Sequence, residues 1–170
     1  MRNRSALCLS VVMLLVVGVG VAATVRASWA KAAGDEPLAG TWKVNLEKSK
    51  YDPGPAPTSA ATATITIDGG METYRSEGGT DANGKPVSSS FTAKVDGPDA
   101  PVVGVPYADT IKVKRVNAHH YVNYLKKNGK VVVTVHVVVA DDGKSRTVSF
   151  EGKDQSGTPI HDEVWYDKQE

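Results

Sequence analysis

From Thr62 to the C-terminus, apolar and polar residues alternate with a period of two rather than three or four. Thr62-Ala63-Thr64-Ile65-Thr66-Ile67 puts threonines on one face and Ala63, Ile65 and Ile67 on the other. Phe91, Ala93 and Val95 alternate with Thr92 and Lys94. Ile111 and Val113 alternate with Thr110, Lys112 and Lys114, and Val148 and Phe150 with Thr147, Ser149 and Glu151. Successive side chains of a strand point to opposite faces, so this pattern predicts antiparallel strands with one dry and one wet face. Nothing shows a sustained helical period, although a short helical turn fits Leu46 to Lys50.

Turn chemistry falls between these runs. Asn83-Gly84, Asp96-Gly97, Asn128-Gly129, Asp142-Gly143 and Ser156-Gly157 all accept the positive φ of tight hairpin turns. The last three glycines stand 14 residues apart, which leaves strands of about ten residues, roughly 33 Å long. Strands of that length suit the tilted wall of a barrel. Val131 to Ala140 departs from the alternation, being apolar on both faces apart from Thr134 and His136. Such a strand is either covered on its second face or engaged in a homodimer contact; Asp141, Asp142 and Lys144 flank it as charged gatekeepers. Tyr51 to Pro57, with three prolines, reads as an extended loop laid across one barrel end.

The start of the chain follows a different rule. Arg2 and Arg4 precede an apolar run from Ala6 to Ala23, and small residues then offer cleavage after Ala27 or Ala32. That order describes a signal peptide over residues 1–32 and an exported protein, periplasmic or secreted. The competing reading is an uncleaved anchor, since about 18 apolar residues approach the shortest membrane span. Alanine- and glycine-rich cores bind lipid weakly, which favours cleavage and no membrane span thereafter. Residues 33–37 read as a disordered remnant and 38–170 as the folded domain. Cys8, the single cysteine, lies in the leader, so the mature chain has neither a disulfide nor a thiolate metal site.

Removing the leader also changes the charge. Four of the 20 Lys and Arg residues lie within it, but none of the 19 Asp and Glu, leaving 16 against 19, a net of −3. A nucleic-acid binder ordinarily carries a basic surplus, so that class is set aside.

Gly40-Thr41-Trp42 opens the β region, and Val164-Trp165-Tyr166-Asp167-Lys168 closes it. This Gly-x-Trp with a late basic residue resembles the lipocalin and fatty-acid-binding-protein (calycin) superfamily. Gly40 to Tyr51 with Pro53-Gly54-Pro55, and the Asp142 to Lys144 hairpin, resemble uncharacterised bacterial exported lipocalin-like proteins. The resemblance implies that Trp42 plugs one barrel end and that Lys168 packs over it, where the family commonly has Arg. It implies an all-β fold, a single antiparallel up-and-down β-barrel of about eight strands, and an internal ligand.

Chemistry is sparse. His119 and His120 point to opposite faces of a strand, and His136 and His161 lie on other strands with no carboxylate at ligand spacing, so no metal or cofactor is implied. Ser88-Ser89-Ser90 lacks a nucleophile elbow, and Asp162 and Glu163 point apart. Two arginines stand on apolar faces: Arg115 with Ile111 and Val113, and Arg146 with Val148 and Phe150. A buried guanidinium needs an anion or an exit to water, so each is either a rim residue or part of a clamp for a ligand carboxylate. Phe91, Phe150 and Tyr124 complete the candidate ligand set; Tyr124 shares a face with Val122 and Tyr121 with Leu125, and either face fits the lumen. The sequence therefore points to non-catalytic binding of a small apolar or amphipathic, lipid-like molecule. A protein-interaction module (an inhibitor or envelope-assembly factor) with a side-chain-filled barrel, and a weak hydrolase or metal-binding protein, are the rivals.

Overall fold

A computed structural model describes residues 36–154 and 156–170, so the leader and its cleavage sites lie outside the described residues. Ten strands follow in order: β1 (Gly40–Lys50), β2 (Thr62–Asp68), β3 (Met71–Thr80), β4 (Pro86–Lys94), β5 (Ala100–Val103), β6 (Thr110–Arg115), β7 (His120–Lys127), β8 (Lys130–Val139), β9 (Ser145–Lys153) and β10 (Pro159–Gln169). Each pairs antiparallel with its sequence neighbour, and β1 pairs with β10 to close the barrel. The described residues form no helix, and none is long and apolar enough to cross a membrane.

The expectation of about eight strands is corrected to ten. The two that the alternation did not reveal are β3 and β5. In β3 the pattern is inverted: Met71 points outward at 42% exposure while Glu72 points inward at 2%. β5 has only four residues and holds the wall by two registered pairs on each side, Ser90↔Val103 and Phe91↔Val102 with β4, Ala100↔Ile111 and Pro101↔Thr110 with β6. The five Gly turns of the sequence all fall between strands, with Asn128 adopting φ 50° in the two-residue hairpin before β8. Leu46 to Lys50 is not helical; β1 continues through it with an irregularity, where Ser49 Oγ donates to Asn45 O at 2.7 Å.

Directly paired residues of neighbouring strands share a face, and this sorts the apolar strand β8. Val133, Val135, Val137 and Val139 are buried in the barrel, while Val138 is 46% exposed on the outer wall and Val131, at the start of the strand, 51%. The inner row continues into Tyr121 and Asn123 of β7, which pair with Val137 and Val135. Trp42, Val113 and Tyr121 have no exposed surface at all. Closing the sheet through β1 and β10 removes its free edges and gives the strands an inner face to bury.

One end of the barrel is stoppered by the chain that precedes β1. Trp42 Nε1 donates to Leu38 O at 2.9 Å, and Trp42 and Lys168 are register partners whose ammonium lies 5.0 Å from the indole centroid. Of the expected remnant 33–37, residues 33–35 lie outside the described residues, while Glu36 and Pro37 lie against the barrel end. The Glu36 carboxylate accepts from both terminal nitrogens of Arg115, at 3.0 and 2.7 Å, and from the Tyr121 hydroxyl at 3.2 Å. At the far end, the β1–β2 loop is fastened to β10: Asp52 N donates to Asp162 Oδ1 at 2.9 Å, and His161 N donates to Asp52 O at 2.7 Å.

Candidate functional site in the barrel lumen

The barrel is not filled by its side chains. Above the Trp42 stopper lies a cavity of about 270 Å³, with a mouth formed by β4 residues 87–89 and the loop from Gly104 to Tyr107. At about 30 Å³ for each water, it has room for about nine water-sized groups. Its walls are mainly apolar, with Ile65, Phe91, Val135, Val148 and Phe150 from four strands. The loop is held close to the wall at Gly104, whose φ is +78° and where an added Cβ would sit 1.9 Å from the carbonyl oxygen of Ser88. Tyr107 is half-buried on this loop, and burial, with Asp162 and Tyr74 nearby, pushes its hydroxyl pKa up.

Among the polar side chains of the lining, three carry a buried atom without a hydrogen-bond partner. Arg146 of β9 is 3% exposed; its guanidinium carbon stacks 4.2 Å from the Tyr166 ring centroid and 5.2 Å from that of Trp42. These aromatic faces offset part of the cost of burying the cation, by about 0.5–2 kcal/mol each. Burial nevertheless pulls the Arg146 pKa below its ordinary value, against the opposing pull of Tyr166, Tyr74 and Glu72. Glu72 of β3 faces the same space, and burial raises its carboxyl from 4.5 to about 7 despite the attraction of Arg146. Asn123 of β7, 8% exposed, is the third. Glu72 Oε2, Asn123 Oδ1 and Arg146 Nε are all buried without a hydrogen-bond partner. An unmade hydrogen bond at a buried polar atom costs about 1–3 kcal/mol. All three line one cavity, where water or a guest molecule can meet them.

Of the residues singled out from the sequence, Arg146, Phe91 and Phe150 line this cavity. Arg115 does not: as the last residue of β6 it reaches the stoppered end, where Glu36 and Tyr121 occupy it. Tyr124 does not either, because it pairs with Lys112 and Thr134 on the outer wall, leaving Tyr121 inside. The two arginines are therefore not one clamp. Glu72, Asn123, Tyr74 and Tyr166 are lumen residues that the sequence did not reveal. Asn123 was in principle legible, since it shares the parity of Tyr121 and Leu125.

Outside the lumen, His120 and His136 meet across β7 and β8, with Nε2 and Nδ1 3.3 Å apart, while His161 is exposed on β10. Among the described residues no group of three or more His, Cys, Asp or Glu side chains is placed to hold a metal ion. No protein-family model matches the chain, and no curated protein matches it in sequence.

Proposed function

We propose that this protein is an exported carrier or sensor that binds one small amphipathic molecule, unchanged, in the lumen of its barrel. The observation that carries the reading is the set of three partnerless polar atoms, on Glu72, Asn123 and Arg146, inside a mainly apolar cavity. A ligand with an apolar body and a polar end satisfies both parts of that lining at once. Ligand sites are commonly of this kind, mostly apolar and preformed, with a few polar groups that fix orientation. The resemblance of Gly40-Thr41-Trp42 and Lys168 to the lipocalin-like superfamily supports the same reading. The size of the cavity favours a compact ligand over a long acyl chain, which would have to protrude through the mouth.

The test is native mass spectrometry of the mature protein purified from its own envelope, followed by organic extraction. A bound small molecule that disappears in Arg146→Ala, with the fold retained by circular dichroism, supports the proposal. A bare protein with nothing extractable would move the assignment to a protein-interaction module.

A further inference from the structure

We propose that the lumen takes up a small organic acid together with one proton, the ligand carboxylate lying between Arg146 and Glu72 while Glu72 donates to it as a neutral carboxyl. This inference rests on the lumen-binding reading and specifies its chemistry. Glu72 and Arg146 come from β3 and β9, both face the cavity, and both are at least nine-tenths buried. They form no ion pair with each other, and each retains an atom without a partner. A cation and a carboxyl that line one small cavity without pairing leave a place for a group that meets both.

The polarity of that group follows from the surroundings. A buried guanidinium without a counter-charge calls for an anion. The cross-strand neighbours of Glu72 are apolar, Ile67 on β2 and Ala93 on β4. The titratable groups facing it are Arg146 on β9 and Tyr121 on β7, with Tyr74 on β3 and Tyr166 on β10 facing Arg146. An anion entering this space meets one positive charge and, if Glu72 is ionised, one negative charge at close range in a medium that screens poorly. Glu72 must then be neutral, and as –COOH it turns from repelling the ligand to donating a hydrogen bond. The balance is one ligand carboxylate and one solvent proton taken up for each ionised Glu72 that is filled. Burial already places the Glu72 carboxyl near neutrality, so the proton is cheaply gained. Asn123 Oδ1 remains available to accept from a hydroxyl or amino substituent on the ligand.

The probe is benzoate, which is small enough for the cavity, with benzamide as its uncharged counterpart of nearly the same shape. Isothermal titration of the mature protein is carried out in pairs of buffers of different ionisation heat. Benzoate affinity should be level below about pH 7 and fall about tenfold per pH unit above it, with proton uptake rising toward about one. Benzamide affinity should not change with pH. Glu72→Gln should bind benzoate with that pH dependence removed. The proton-uptake measurement on the unsubstituted protein stands even if the variant folds poorly. Benzamide binding without benzoate binding overturns the acid while leaving the lumen reading intact. Benzoate binding without proton uptake overturns the role of Glu72, and failure of both probes removes the acid proposal and the lumen reading together.

Discussion

The carboxyl of Glu72 makes a stability prediction independent of any ligand. Its ordinary value of 4.5 is raised to about 7 in the fold, chiefly because burial disfavours the charged form. Between those two values the folded chain binds more protons at this site than the unfolded chain does. Linkage then requires stability to fall as pH rises through this window. The contribution is fully present below the unfolded value and is lost once pH has passed the folded one. A shift of this size corresponds to about 3 kcal/mol, at about 1.4 kcal/mol for each unit. Glu72→Gln keeps the shape and removes the charge, so the variant should match the parent near pH 4.5. By pH 8 it should be more stable by up to about 3 kcal/mol, less the effect of an amide in the same cavity. Urea unfolding of both proteins across that range, with the denaturant slope unchanged, measures the difference. Asp109 and Asp167 are held below the usual carboxylate range by their hydrogen bonds; their contribution runs the other way, at lower pH, and is common to both proteins. Parallel stability curves, or a gap that closes as pH rises, would refute the reasoning.

Other substitutions test the stopper, the mouth and the two arginines. Trp42→Ala should cost about 3–5 kcal/mol in urea unfolding, since it opens a cavity and strips an aromatic face from both Arg146 and Lys168. Gly104→Ala should cost at least about 2 kcal/mol, because its Cβ collides with backbone rather than with a flexible side chain, at a φ disfavoured for alanine; a change within about 0.5 kcal/mol would mean that the loop is not held there. Arg115→Ala should leave lumen occupancy unchanged in native mass spectrometry while speeding proteolysis near Glu36, and Arg146→Ala should do the reverse.

The wall of this barrel was more legible than its contents. Strands such as β2, β6 and β9 bury a strict alternation of Ala, Ile, Val or Phe, and the hairpins of β2 and β9 carry Gly after Asp or Ser, so period and punctuation agree there. The strand β3 escaped because its inward row is Glu72, Tyr74 and Ser76, residues whose polarity reads as solvent-facing until the lumen is seen to need them. The strand β5 escaped because four residues are too short for periodicity to register. Arg146 was found by its company on the strand. Arg115 was found by the same argument and is not in the lumen, because parity fixes which face a side chain takes but not how far along the barrel it sits. Tyr124 shows the complementary limit: parity alone leaves two mirror assignments, and only the register with Val113 and Val135, which places Asn123 inside, decides between them.

The shortness of β5 also bears on traffic. Along most of its circumference the barrel is laced by long ladders, nine registered pairs between β9 and β10 and seven between β8 and β9, whereas β5 has two on each side. Local opening draws on the least secured part of a structure and need not approach the free energy of global unfolding. β5 is therefore a seam beside the mouth, next to the Gly104–Tyr107 loop that it leads into. On the proposed lumen-binding reading, residence time depends on how often this seam parts, while the stability of the whole depends on the other staves. Under that proposal, retention of a guest could be lengthened or shortened by changes in β5 alone, with the stopper, the polar trio and the overall melting behaviour left as they are.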